Sequence, residues 1–209
     1  MTSTAWVLFA LAAGFALGNW ISVLVNARVG IFVCKPMTLA LLIATAVVLD
    51  PTYGNTRTWF VVALVFSLLG DVLLMLPEKV FVFGLGAFLL GHVAYAIGMN
   101  LHTDGLWLLA VPIPFIAALL ARRLVRGLKR GGNDALVAPV IAYVVVITVM
   151  VVSAFASGNA VMVVGAALFM VSDSLIGENR FVQPRAWGPV AIMVTYHLGQ
   201  GLLVLSLVS

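Results

Sequence analysis

The chain has 209 residues, of which 64% are apolar and 9% charged, with a formal net charge of +4. A soluble domain carries roughly a quarter charged residues, and a globule of this size could not hide so much apolar surface, so lipid is the expected solvent. The basic residues sit in short loops between apolar runs, which reads as membrane topology and not as nucleic-acid binding. Cys34 is the single cysteine, which excludes an internal disulfide and any CxxC metal pattern.

Eight apolar runs bounded by Pro, Gly or charge follow in order, and together they predict an all-α integral membrane protein with one polytopic domain over residues 1–209. The first is Trp6–Val25. It lacks the basic n-region of a secretory signal and is about long enough to span, so a retained helix is expected. Then come Lys35–Leu49, Trp59–Leu76, Val80–Met99, Leu106–Leu120, Pro139–Ala156, Ala160–Ile176 and Trp187–Val208. Pro112 and Pro114 should bend the fifth or start it late. Trp6, Trp59, Trp107 and Trp187 fall near span ends, as interfacial anchors do. Gly84, Gly86 and Gly91, and Gly14-x-x-x-Gly18, suit close helix packing.

Basic residues sort by side. Arg28, Lys35, Lys79, Arg122, Arg123, Arg126, Lys129, Arg130, Arg180 and Arg185 fall in one set of loops, and Arg57 alone in the other. That bias places the first set in the cytoplasm and both termini away from it. The cluster from Arg122 to Arg130 could also touch anionic lipid heads.

Ionisable groups within apolar runs are costly in hydrocarbon, so each is a candidate site residue. Asp71, His92, Asp173 and His197 qualify, with Lys35 at the start of the second span. A repeat is visible. Phe66-Ser-Leu-Leu-Gly-Asp71 resembles Phe169-Met-Val-Ser-Asp173, and each aspartate is followed by an acidic turn (Glu78 or Glu178) and then a helix carrying a histidine. Four helices separate the copies, which implies a parallel 4+4 duplication. Counted from the expected ends, Asp71 and Asp173 lie roughly 9 and 6 Å deep, and the histidines roughly 15–20 Å. A gap near 10 Å between these layers is too wide for the four to share a zinc ion, whose ligand bonds are about 2 Å, so neither metal nor cofactor is expected. The competing structural reading pairs Asp71 or Asp173 with Lys35 or Arg180, and makes the histidines interhelical hydrogen-bonding groups. Tyr95, Tyr196 and Gln200 share faces with the histidines and suit orientation or packing equally.

Cys34-Lys-Pro-Met-Thr38, Ser67-Leu-Leu-Gly-Asp71, Gly84-Leu-Gly-Ala-Phe-Leu-Leu-Gly-His92, Leu168-Phe-Met-Val-Ser-Asp173 and Tyr196-His-Leu-Gly-Gln200 follow one another along the chain. Together they resemble the YhhN-like family of membrane proteins, which includes animal and bacterial lysoplasmalogenases. The resemblance implies an eight-helix hydrolase of the lysoplasmalogen vinyl-ether bond. Its products are a fatty aldehyde and a glycerophospho-alcohol, and its substrate is a lysophospholipid drawn from the bilayer. On that reading Asp71 and Asp173 form a carboxylate acid/base pair and Lys35 binds the lipid phosphate. Thr38, His92, Tyr95, Glu178, Asn179, Tyr196, His197 and Gln200 complete the substrate-binding or orienting set. A bacterial inner membrane is the simplest host. Two rivals come from other classes: a proton- or ion-coupled small-solute transporter, which also uses repeats and mid-membrane charge, and a non-catalytic lipid-binding protein.

Overall fold

The structure is a computed structural model that describes residues 1–103 and 105–209. Among the described residues eight helices are long and apolar enough to cross a membrane, and no strand occurs. They are α1 (Ser3–Leu24), α2 (Arg28–Val48), α3 (Gly54–Leu74), α4 (Phe81–Met99), α5 (Pro112–Arg130), α6 (Val137–Ala156), α7 (Ala160–Phe181) and α8 (Gly188–Leu205). The all-helical, multi-pass architecture follows from the solvent, since in lipid a helix satisfies its own backbone groups.

Three helices run five or more residues beyond the apolar runs at the basic end. α2 begins at Arg28, seven residues before Lys35, and carries Pro36 in its interior. Proline removes one helical hydrogen bond, but the turn before it is held from outside: Gly18 of α1 packs against Cys34, and Gly30 against Ser22. α5 begins with Pro112 in its first turn, a favoured place, and runs ten residues beyond Leu120. In that extension Leu124, Gly127 and Leu128 are buried while Arg122, Arg126, Lys129 and Arg130 are exposed, the pattern of an amphipathic helix. α7 continues through Glu178, Asn179 and Arg180 to Phe181. Charge marks where lipid ends, not where the helix ends, and both extensions pass that level together. They are close enough that a Cβ on Gly127 would overlap the Phe181 carbonyl.

Successive helices run antiparallel, joined by short turns. The α1–α2 turn is tight enough to need Asn26 at φ 55°, a left-handed conformation that asparagine tolerates. Thr2 Oγ1 donates to the Val48 carbonyl (3.3 Å), Thr52 N to the Leu207 carbonyl (2.8 Å), and Asn159 Nδ2 to Ser209 Oγ (2.9 Å). Both termini therefore share one end of the bundle with the α2–α3 and α6–α7 turns. The opposite end carries the Arg- and Lys-rich turns.

α8 is the most buried helix and packs on α1, α2, α3 and α7, while α5 stands outside against α6 and α7. Lipid tails are as apolar as leucine, so helices associate here by close packing of small residues. Gly165 of α7 faces Gly199 of α8, and a Cβ on Gly199 would lie 2.9 Å from the Gly165 carbonyl oxygen. Gly91 of α4 likewise meets α3, at 3.2 Å from the Ala63 carbonyl. Gly14 and Gly86, read from sequence as packing glycines, have open space instead. Gly199→Val should therefore cost about 1–3 kcal/mol by overpacking, measured as lost thermal stability in detergent. Gly86→Ala should leave the transition in place, and equal effects of the two would refute this packing account.

Candidate active site

Asp71 lies one turn from the end of α3 and is 1% exposed. Its Oδ1 is 3.0 Å from Lys35 Nζ on α2, and its Oδ2 accepts from Tyr196 OH on α8 at 2.9 Å. Extension of α2 to Arg28 puts Lys35 seven residues into the helix, roughly 10 Å deep, and not at its start. Lys35 is buried as well, so this is an intramembrane ion pair braced by a phenol. It matches the structural pairing that the sequence allowed for Asp71. Arg180, the other suggested partner, bonds instead to Glu78 (2.7 Å) and covers the Phe81 ring at 3.8 Å.

Asp173 of α7 has a second, separate set of partners. Tyr143 OH of α6 donates to its Oδ2 at 2.5 Å, and His92 Nε2 of α4 lies 3.3 Å from the same oxygen. The expected 10 Å gap between aspartate and histidine layers does not exist at this pair. Because α7 runs to Phe181, Asp173 sits eight residues from the helix end, roughly 12 Å in, and His92 is roughly 16 Å in from Phe81. Side-chain length closes the remainder. His92 Nδ1 is 2.6 Å from the Phe88 carbonyl, which can only accept, so Nδ1 carries a hydrogen and Nε2 faces the carboxylate. At 3.3 Å His92 Nε2 is within ion-pair range of the carboxylate but makes no hydrogen bond to it.

Aromatic rings separate the two stations. Phe169 lies 4.6 Å from His92 and 5.3 Å from Tyr196, centroid to centroid, and Phe88 lies 5.8 Å from Tyr196 and 6.2 Å from Phe169. The Phe88 ring fits only because residue 70 is glycine: a Cβ there would fall 2.5 Å from it.

The remaining candidates divide. Tyr95 OH donates to Gln200 Oε1 at 2.5 Å, tying α4 to α8. Trp20 Nε1 of α1 donates to His197 Nδ1 at 3.1 Å. Thr38 is buried and bonds back to its own helix at the Cys34 carbonyl. Glu178 is taken up in a two-pronged pair with Arg123 of α5, and Asn179 Oδ1 accepts from Arg185 N at 2.6 Å, so neither joins an aspartate. Tyr143 and Trp20 carry no site signal in the sequence, and Phe88 and Phe169 enter it only as members of motifs. A tyrosine one or two turns into a span looks like an interfacial anchor, and only the fold turns Tyr143 toward Asp173.

Each station borders open space. Asp173 and Tyr143 line a narrow apolar cleft of about 50 Å³ between α4, α5, α6 and α7, walled by residues such as Phe88, Leu124, Ile147 and Met170. Lys35 lines a wider opening at the basic end, about 700 Å³, together with Asn179, Arg180 and Phe32. Leu74, Phe81 and Ile176 border both spaces.

Comparison with known proteins adds the lineage, since the YhhN family model matches residues 30–207. The chain belongs to the YhhN family. Among relatives, a lysoplasmalogenase of Mycobacterium bovis is 38% identical over 156 residues, covering 69% of this chain and 58% of that protein. Lysoplasmalogenase TMEM86B of Homo sapiens is 32% identical over 163 residues, 76% of this chain and 67% of the relative. The Mus musculus protein of the same name is 30% identical over 193 residues, covering 90% and 76%. The chain thus spans less than two thirds of the mycobacterial relative, and no solved structure matches it. The YhhN match takes in Lys35, both aspartates, Tyr143, His92 and Tyr196.

Removing one partner of a buried ion pair leaves an uncompensated charge, at a cost of about 3–5 kcal/mol, whereas replacing both is often nearly neutral. Lys35→Met should therefore lower stability by about 3 kcal/mol, and Lys35→Met with Asp71→Leu should recover most of it. Denaturant titration in mixed micelles measures both. No recovery in the double variant would mean that the pair is not what destabilises the single one.

Proposed function

We propose that this protein is a lysoplasmalogenase: it hydrolyses the vinyl-ether bond of a lysoplasmalogen to a fatty aldehyde and a glycerophospho-alcohol. The observation that carries the reading is a partly buried carboxyl group, Asp173, opening on an apolar cleft with a phenol bonded to it and a histidine beside it. The names of the YhhN relatives support the same activity.

Vinyl-ether hydrolysis starts with a proton added to the carbon one removed from the ether oxygen. The electron pair of the double bond forms the new C–H bond, and the ether oxygen shares the resulting positive charge as an oxocarbenium ion. Water then adds at the carbon bound to oxygen and gives up a proton, and the hemiacetal collapses to aldehyde and alcohol, consuming one water. Glycosidases manage an oxocarbenium-like state with two carboxyl groups, one protonated and one ionised. Asp71 and Asp173 are the counterparts here. Lys35, at the edge of the basic-end opening that Asn179 also lines, holds the lipid phosphate as a point charge, with Thr38 one turn on in α2 and Glu178 beside Asn179 in α7. His92, Tyr196, His197 and Gln200 orient water or line the chain cavity, with Tyr95 bracing Gln200.

The partner sets also favour a parallel 4+4 duplication. Asp71 is held from α2 and α8, and Asp173 from α6 and α4. A shift of four helices exchanges α2 with α6, α3 with α7, and α4 with α8, and so interchanges the two sets. The charge bias places the basic end in the cytoplasm and both termini outside it, most simply in a bacterial inner membrane. Alkaline phosphatase fused after Ser209 should then be active in cells, and green fluorescent protein at the same point dark. The opposite pair of results would invert the topology.

The deciding assay is aldehyde release from a lysoplasmalogen by the protein reconstituted in lipid, beside Asp71→Asn and Asp173→Asn. Both variants should fold and be at least about 100-fold slower, since general acid–base groups contribute about 10²–10⁴. Native protein that releases no aldehyde across several headgroups and pH values would sink the hydrolase reading. Solute uptake into sealed vesicles would then favour a transporter.

A further inference from the structure

The Lys35–Asp71–Tyr196 station is surrounded by polar atoms that have no hydrogen-bond partner among the described residues. They are both side-chain atoms of Asn19, Ser67 Oγ, His197 Nε2 and Gln200 Nε2. All four residues are at least nine-tenths buried, Asn19 and Gln200 completely. Burying such groups without partners is unfavourable, and in folded proteins most of those left by the protein are satisfied by internal water.

These residues converge on one place. Ser67 lies one helical turn before Asp71 on the same face of α3, and Gln200 one turn after Tyr196 on the same face of α8. The two helices run in opposite directions, and Tyr196 touches Asp71, so Ser67 and Gln200 both lie one turn deeper than that contact. Tyr95 reaches Gln200 from α4, and Ser67 Oγ comes within 3.3 Å of where a Cβ of Gly91 on α4 would stand, so α4 closes the same space. On the other flank, Gly18 meets Cys34 and Trp20 meets His197. Asn19, on the buried face of α1 between them, is therefore level with Lys35 on α2 and His197 on α8. Trp20 donates to His197 Nδ1, so neutral His197 carries its hydrogen on Nε2, and that buried donor is one of the orphans.

We propose that Asn19, Ser67, His197 and Gln200 form an internal water-binding chamber around Asp71, and that the two aspartates divide the hydrolysis. Asp71 takes a proton from a water held there as its oxygen attacks, while Asp173, facing the apolar cleft, delivers the proton to the vinyl-ether carbon. Each turnover leaves Asp173 short of one proton and Asp71 with one extra, so the enzyme resets when Asp71 releases its proton to solvent and Asp173 takes one up, with one water consumed and no co-reactant. This division rests on the lysoplasmalogenase reading, whereas the water site does not. A wetted chamber on one side and an apolar cleft on the other keep water away from the vinyl-ether carbon until the oxocarbenium ion forms.

The test begins with an experimental structure of the full chain in lipid nanodiscs at a resolution that shows ordered water. About two waters or more should lie within hydrogen-bond distance of Ser67 Oγ, Gln200 Nε2, His197 Nε2 or the Asn19 amide, since a buried water typically makes about three bonds. A dry chamber, or the same atoms paired with one another, would overturn the proposal. Kinetics then address the division of labour. Ser67→Ala with Gln200→Leu should lower kcat about tenfold or more with KM held, whereas Gln200→Glu, which keeps a polar group there, should retain most of kcat. A rise in KM alone, or equal loss with Gln200→Glu, would remove the role in water delivery. If ordered waters are present but native protein releases no aldehyde, the site stands and the hydrolase reading falls.

Discussion

A charge placed in hydrocarbon must find an opposite charge or hydrogen bonds within the protein, and the pair formed by Lys35 and Asp71 is where this constraint bears hardest. Lys35 can reach Asp71 only if α2 continues two turns toward the basic end before Pro36, and Tyr196 can reach it only if α8 runs inside the bundle. The small residues at the α7–α8 and α3–α4 crossings serve that geometry: Gly165 with Gly199, and Gly91 against Ala63, let backbones approach closely enough for the polar groups to meet. Asp173 obeys the same constraint with a different set, a phenol and an imidazole, and so remains at the edge of an apolar cleft and not in a sealed ion pair.

That difference between two aspartates of similar local sequence bears on the chemistry we propose. One carboxyl group is enclosed with a cation and orphaned polar atoms, and the other faces an apolar cleft with a histidine nitrogen 3.3 Å away. Aromatic rings from Phe88 and Phe169 keep the stations apart. Acid and base tasks are commonly divided by giving like residues unlike surroundings. α5, outside the main bundle, lends Leu120 and Leu124 to the wall of the apolar cleft, and its Arg123 is tied to Glu178 of α7 near the basic end.

The match to the YhhN family rests on short motifs whose members now have distinct physical tasks. Gly70, next to Asp71, makes room for Phe88. Ser172, next to Asp173, bonds to the Ile192 carbonyl and pins α7 to α8. Thr38 satisfies itself on its own helix, and Glu178 and Asn179 hold the basic-end turns together. Motif membership therefore does not by itself mark a residue that touches substrate.

Composition alone determined the solvent, the helical class and the number of spans, because each depends only on local apolar content and on the length needed to cross lipid. Asp71, Asp173, His92 and His197 were legible for a related reason: an ionisable residue in an apolar run is anomalous wherever the run is placed. Helix ends were less legible. Arg28, Arg180 and the arginines of α5 mark the lipid boundary, while α2, α5 and α7 continue through it on buried faces that only neighbouring helices supply. That displacement set the histidine and aspartate layers apart on paper and brings His92 to Asp173 in the fold. Tyr143 and Asn19 carried no local signal, and Ser67 only its membership of a motif, since a lone tyrosine, asparagine or serine can face lipid headgroups, its own backbone or a partner. Which of these it does depends on the azimuth of its helix against the others, and packing between distant segments decides that.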